Sequence, residues 1–114
     1  MTTSLERTWT AVCPVDAVPE NSGVAALLGD GVQVAIFRLP GARWYALSNW
    51  DPCSGAAVLS RGIVGDAGGV PVVASPVYKE RFALHSGQCL DVEGVSVPVY
   101  EVRVREGVVE VESP

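Results

Sequence analysis

Short apolar runs, cut at close intervals by glycine and proline, constrain this chain more than any other feature. Twelve glycines and eight prolines are spread through 114 residues. Between them no apolar stripe repeats at helical spacing for long enough to support a substantial helix, whereas two-residue alternation recurs. The chain is therefore expected to be all-β.

Thr8 to Cys13 reads as a first strand stopped by Pro14, and Val15 to Val18 as a bend or one helical turn that Asp16 could cap. Residues 23–28 and 32–38 read as a hairpin across Gly29, Asp30 and Gly31, whose glycines accept the positive φ of a tight turn. Pro40 and Gly41 turn the chain into residues 43–47. There Trp44 and Ala46 share one face while Arg43, Tyr45 and Leu47 share the other. Apolar bulk on both faces marks a strand sandwiched between layers. Residues 63–64 and 70–74 flank a glycine-rich turn at 65–69, and residues 81–84 run to a turn at Ser86 and Gly87. Near the C-terminus Tyr100, Val102 and Val104 alternate with Glu101, Arg103 and Arg105, which reads as one strand. Past Glu106 and Gly107, Val109 and Val111 alternate with Glu110 and Glu112. Opposed Arg and Glu on the wet face of this hairpin would contribute about 0.2–1 kcal/mol per pair, enough to favour one register.

A chain of this length is expected to form one domain that buries about two thirds of its unfolded surface. Hydrophobic residues make up 48% and charged residues 18%, which separates it from solvated, disordered chains. The net charge of −5 and scattered basic residues speak against nucleic acid, whose phosphates need clustered Lys and Arg. No apolar run is long enough for a membrane helix, and the first seven residues lack the apolar core of a secretory signal, so a soluble, cytoplasmic protein is expected. Nucleotide-binding glycine motifs and a nucleophile elbow are absent. Cys13, Cys53 and Cys89 include no Cys-x-x-Cys pair; Cys13 and Cys89 are expected as small buried hydrophobes and Cys53 in a loop. His85 and Cys89, with Asp51 or Cys53, could hold a transition metal only if the fold brought them together. His85 is expected as an exposed turn residue, and no metal site is expected.

Two loops carry the remaining information. Asp51-Pro52 lies in the first, residues 46–62, and Ser75-Pro76 in the second, residues 72–90. They resemble the two cluster-binding loops of a Rieske iron-sulfur domain. In that family the first loop carries Cys-x-His before Leu-x-x-Gly, and the second carries Cys-Pro-x-His-Gly. Here Asp51 and Cys53 or Ser54 stand at the first pair, and Ser75 and Tyr78 at the second. Lys79 replaces the glycine after the second histidine, while Phe82, Leu84 and Gly87 keep the downstream spacing. A Rieske centre needs two histidines and two cysteine thiolates. With one histidine and three cysteines, a single copy of this chain cannot assemble them. Without a cluster, Asp51 and Ser75 are expected to hydrogen-bond nearby backbone and the Tyr78 ring to fill the vacated volume.

Asp51-Pro52, residues 58–62, Gly65-Asp66, residues 75–79, Phe82 and residues 87–90 together resemble a narrower group, the small subunit of assimilatory NAD(P)H-dependent nitrite reductase. The resemblance implies a small Rieske-like β-sandwich or barrel with a two-loop subdomain. A single domain would span residues 1–114, with 1–6 and 113–114 flexible. It implies no catalytic residue and no cofactor in this chain. The implied partner is a large subunit carrying FAD, iron-sulfur and sirohaem groups that reduces nitrite to ammonium. Docking would use a tip formed by Trp50, Pro52, Pro76, Tyr78, Lys79 and Arg81, since Trp, Tyr and Arg are common interface anchors. The runner-up is a Rieske-type [2Fe-2S] ferredoxin-like electron carrier, and a free-standing ligand-binding β-module is a third class.

Overall fold

Alternation along β3 (Gln33–Leu39) sets the layering of the molecule, a computed structural model that describes residues 8–29 and 31–113. Ala35, Phe37 and Leu39 enter one core, with Leu47, Leu59, Val73, Phe82, Leu84, Cys89 and Val97. Val34 and Ile36 enter a second core on the opposite face, with Leu28, Ala46, Val109 and Val111. Successive side chains of a strand point to opposite faces, so a run buried throughout must lie between two layers.

β3 pairs antiparallel with β2 (Ser22–Leu27) and β4 (Arg43–Ser48), and β4 pairs with β10 (Val99–Tyr100). This gives a four-stranded sheet of order β10-β4-β3-β2. The Val34 and Ile36 face is covered by a three-stranded sheet in which β12 (Val108–Ser113) lies between β1 (Thr8–Pro14) and β11 (Val102–Arg105). The Phe37 face is covered by a small subdomain. Its sheet pairs β7 (Ile63–Ala67), β8 (Val70–Ala74) and β9 (Arg81–Ala83), and a hairpin of β5 (Trp50–Asp51) and β6 (Ala56–Ala57) stands beside it. The fold is all-β and antiparallel throughout.

Three expectations need correction. The alternating stretch from Tyr100 to Arg105 is two strands, because Glu101 interrupts pairing where the chain leaves the β4 sheet and joins β12 in the other. Alternation survives such a crossing, since it reports sidedness and not partner. The glycine-rich turn at 65–69 is narrower than expected. Gly65, Asp66 and Ala67 pair with Val72, Pro71 and Val70, and only Gly68 and Gly69 turn. Residues Val15–Ala17 form a 3₁₀ turn as anticipated, but Pro14 occupies the N-cap and no side chain caps it, so Asp16 has no such role. Ser113 ends β12 opposite Thr8, while residues 1–6 and Pro114 lie outside the described residues.

The expected charge pairing is present between Arg103 and Glu110. Arg103 lies directly across from Glu110, with Nε donating to Oε1 at 2.6 Å, and its guanidinium rests 4.1 Å from the centre of the Trp9 ring.

Candidate functional site: the two-loop tip

Each loop is closed by its own backbone before it meets the other. In the first, the Gly55 amide donates to the Asp51 carbonyl at 2.8 Å, and Gly55 takes the left-handed φ of +73° that this tight turn requires. The base is pinned by Asn49, which is buried. Its amide nitrogen donates to the Ala57 carbonyl and to Gln33 Oε1, both at 3.2 Å, and its Oδ1 accepts from the Ser60 amide at 2.7 Å. In the second loop the Lys79 amide donates to the Ser75 carbonyl at 3.0 Å and the Ser75 amide to the Glu80 carbonyl at 2.8 Å.

Lys79 stands where the Rieske pattern has glycine, and it keeps the glycine backbone conformation with φ of +67°. A left-handed residue with a Cβ costs about 1–2 kcal/mol. We therefore expect Lys79→Val, with its branched Cβ, to lower stability by about 1–2 kcal/mol in urea unfolding, and Lys79→Gly to stay within about 1 kcal/mol of the parent. Equal losses in both variants would mean that the loop does not depend on this conformation.

Asp51 joins the loops. It is fully buried; its Oδ1 accepts from the Cys53 amide at 2.9 Å, and its Oδ2 accepts from the Ser54 hydroxyl at 2.9 Å and from the buried Ser75 hydroxyl in a short hydrogen bond. Burial pushes its carboxyl up, but the hydrogen bonds from Ser75, Cys53 and Ser54 together outweigh burial and hold it below the ordinary carboxylate value. The expected bonding of Asp51 and Ser75 to local backbone is thus present in the Asp51–Cys53 contact. A longer-range bond between the two side chains accompanies it.

Tyr78 does not fill the space between the loops. It is 66% exposed, with Val77 at 46% and Trp50 at 52%. The inward positions are taken by Cys53 and Glu80, whose side chains face Asp51. Pro52 and Pro76 are exposed, as is Lys79. Arg81 is exposed but committed: Nε and NH2 donate to the two carboxylate oxygens of Asp91 at 3.1 and 2.8 Å, and its backbone amide also donates to Oδ2. This fork lowers Asp91 to about 2, and it ties β9 to the segment that follows. His85 is exposed and Cys89 is buried in the Phe37 core, so these two do not join Asp51 or Cys53 in a ligand set. Cys13 is half-buried against the second core.

Residues 8–112 match the family described as the Rieske-like [2Fe-2S] domain. The NADH nitrite reductase small subunit of Escherichia coli K12 is 46% identical over 103 residues, covering 90% of this chain and 94% of that protein. This chain belongs to the nitrite reductase small-subunit family. A candidate NADH-dependent small subunit from Mycobacterium tuberculosis has a crystal structure that superposes with a TM-score of 0.92 at 51% identity, covering 96% of this chain and 97% of that one. A nitrite reductase large subunit of Klebsiella oxytoca is 47% identical over 101 residues; the match takes in 89% of this chain but only 10% of that protein.

Within this small-subunit frame, the residues at the cluster positions do not fit a [2Fe-2S] group. Asp51 and Ser75 are bonded to each other, Tyr78 points outward, and Cys53 is the single thiol between the loops. A Rieske centre needs two thiolates and two imidazoles.

Sequence reasoning missed Asn49 and Glu80. Asn49 had no signal beyond its place before the first loop. Glu80 lies 27 positions from Cys53, and only the antiparallel return of the second loop brings them together.

Proposed function

We propose that this chain is the non-catalytic small subunit of a cytoplasmic, assimilatory NAD(P)H nitrite reductase, and that its two-loop tip docks on the large subunit. In this reading the large subunit carries the flavin, iron-sulfur and sirohaem chemistry that takes nitrite to ammonium. This chain carries no redox cofactor. The observation that carries the choice of partner is the Klebsiella large-subunit protein, in which a domain 47% identical to this chain occupies about a tenth of a much longer polypeptide. A domain that is a separate chain in one organism and part of the partner in another works at the partner's side.

The geometry supports the tip as the docking element. Trp50, Val77 and Tyr78 present large apolar surface to solvent from loops whose backbones are internally bonded and joined through Asp51 and Ser75. A rigid support loses little entropy on association, and exposed Trp and Tyr are the side chains that most often dominate binding energy. No helix among the described residues is long and apolar enough to cross a membrane.

Co-purification with the large subunit and titration calorimetry test the reading. Replacing Trp50 and Tyr78 together by Ala is expected to weaken the complex about 1,000-fold, because each anchor of this kind contributes about 2 kcal/mol. Unchanged affinity in that double variant, with the fold intact by circular dichroism, would remove the tip from the interface. The ferredoxin reading would return if protein purified without oxygen contained stoichiometric iron and acid-labile sulfide.

A further inference from the structure

The interior of the tip holds a donor set that the docking reading does not use. One ligand atom from each of Asp51, Cys53 and Glu80 lies within 4.8 Å of the other two. Ligand atoms around a tetrahedral zinc ion at about 2.0–2.3 Å sit about 3.3–3.8 Å from one another, so side-chain rotations moving the atoms about 1 Å would close the set.

An independent observation points to a missing partner. Glu80 Oε1 is sealed from solvent and accepts no hydrogen bond. Buried carboxylate oxygens are ordinarily satisfied. Among the described residues neither Asp51 nor Glu80 has a Lys or Arg partner, so two buried carboxyl groups share one compartment without a cation. Asp51 Oδ2 accepts both serine hydroxyls, and Oδ1 accepts the Cys53 amide.

We infer that Asp51, Cys53 and Glu80 form a binding site for one divalent cation of the zinc class, set between the two loops. One thiolate and two carboxylates suit a borderline-soft ion; calcium and magnesium prefer six or more oxygen ligands. Three protein ligands leave the fourth position for water. Binding forms a metal–sulfur bond and releases the Cys53 thiol proton to solvent, with no change of oxidation state. Because binding releases that proton, affinity is expected to rise with pH.

The test is anaerobic titration of the full chain, reduced and stripped with chelator, using Co²⁺ as the optical probe and Zn²⁺ as competitor. We expect one equivalent of Co²⁺ to produce a thiolate-to-cobalt charge-transfer band that Zn²⁺ removes, and Zn²⁺ to raise the melting temperature. Cys53→Ser should abolish the band, and Glu80→Gln should weaken binding at least tenfold. Cys13→Ser should change neither. No band at stoichiometric Co²⁺, a band that survives Cys53→Ser, or equal affinity in Glu80→Gln would overturn the site. A variant that did not fold would be replaced by Cys53→Ala or Glu80→Ala, with the Zn²⁺-dependent melting shift of the parent as the second readout. The titration contains no large subunit. A failed docking experiment therefore leaves it unaffected, and a failed titration leaves docking standing.

Discussion

Gly87→Ala is expected to lower stability by about 3–5 kcal/mol. A Cβ at position 87 would lie 2.0 Å from the Val97 carbonyl oxygen and 3.1 Å from both its carbon and Val99 Cγ1. The backbone cannot move aside without loss. The Gly87 amide donates to the Ala83 carbonyl at 2.7 Å, and the Gly87 carbonyl accepts from the Val97 amide at 2.9 Å. The φ of +77° adds a further cost of about 1 kcal/mol for any residue with a Cβ. These contacts hold the segment that places Leu84, Cys89 and Val97 in the Phe37 core, so opening it exposes apolar surface. For a domain of this size the loss corresponds to a fall of roughly 12–20 °C in melting temperature. Gly68→Ala is the control: its φ is +62°, but nothing lies within 4 Å of the added carbon, so about 1 kcal/mol is expected. A Gly87→Ala loss no greater than that of Gly68→Ala would refute the packing argument.

Asp51→Ala is expected to cost about 2–4 kcal/mol when measured in chelator, where no bound cation contributes. The substitution removes one acceptor from the Cys53 amide and from the Ser54 and Ser75 hydroxyls, and Ser75 is buried away from bulk solvent. Hydrogen bonds to a charged group contribute about 1.5–3 kcal/mol each, and relief of a buried carboxylate offsets part of their sum. Asp51→Asn keeps the shape and should lose less. The pH dependence has a definite sign. The folded carboxyl titrates below the ordinary Asp value of 3.8, so the charged form is preferred in the folded state. Its contribution is complete above that value and disappears as pH falls through the lower folded value. The melting temperatures of the parent and Asp51→Asn should therefore differ most near neutrality and converge in acid. A constant gap across that range would show that the carboxylate charge contributes nothing. Because Asp51 joins the loops, its loss should also weaken docking without any change at Trp50 or Tyr78.

The strands of the central sheet were legible because sidedness is a local property. Residues 32–38 and 43–47 carry apolar side chains at both parities, and both strands lie between layers. The absence of a Rieske ligand set was legible too, by counting one histidine and three cysteines. Partner choice was not. The alternation from Tyr100 to Arg105 continues across a change of sheet because pairing depends on what lies beside the strand. The orientation of Tyr78 was equally hidden. A ring that could fill a gap is chemically plausible at that position, yet Cys53 and Glu80 occupy the interior and the ring is left outside.

The sequence by itself determined the all-β class, the positions of both loops, the membership of this family and the lack of thiolates and imidazoles for a cluster. Each of these follows from residue types and their spacing along the chain. The tertiary structure alone decided that Asp51 bonds to Ser75, that Arg81 is spent on Asp91, and that Glu80 turns inward beside Cys53. Those contacts join residues 24, 10 and 27 positions apart. Their energy depends on distances of a few ångströms and on exclusion of water, which arise only when the second loop folds back against the first.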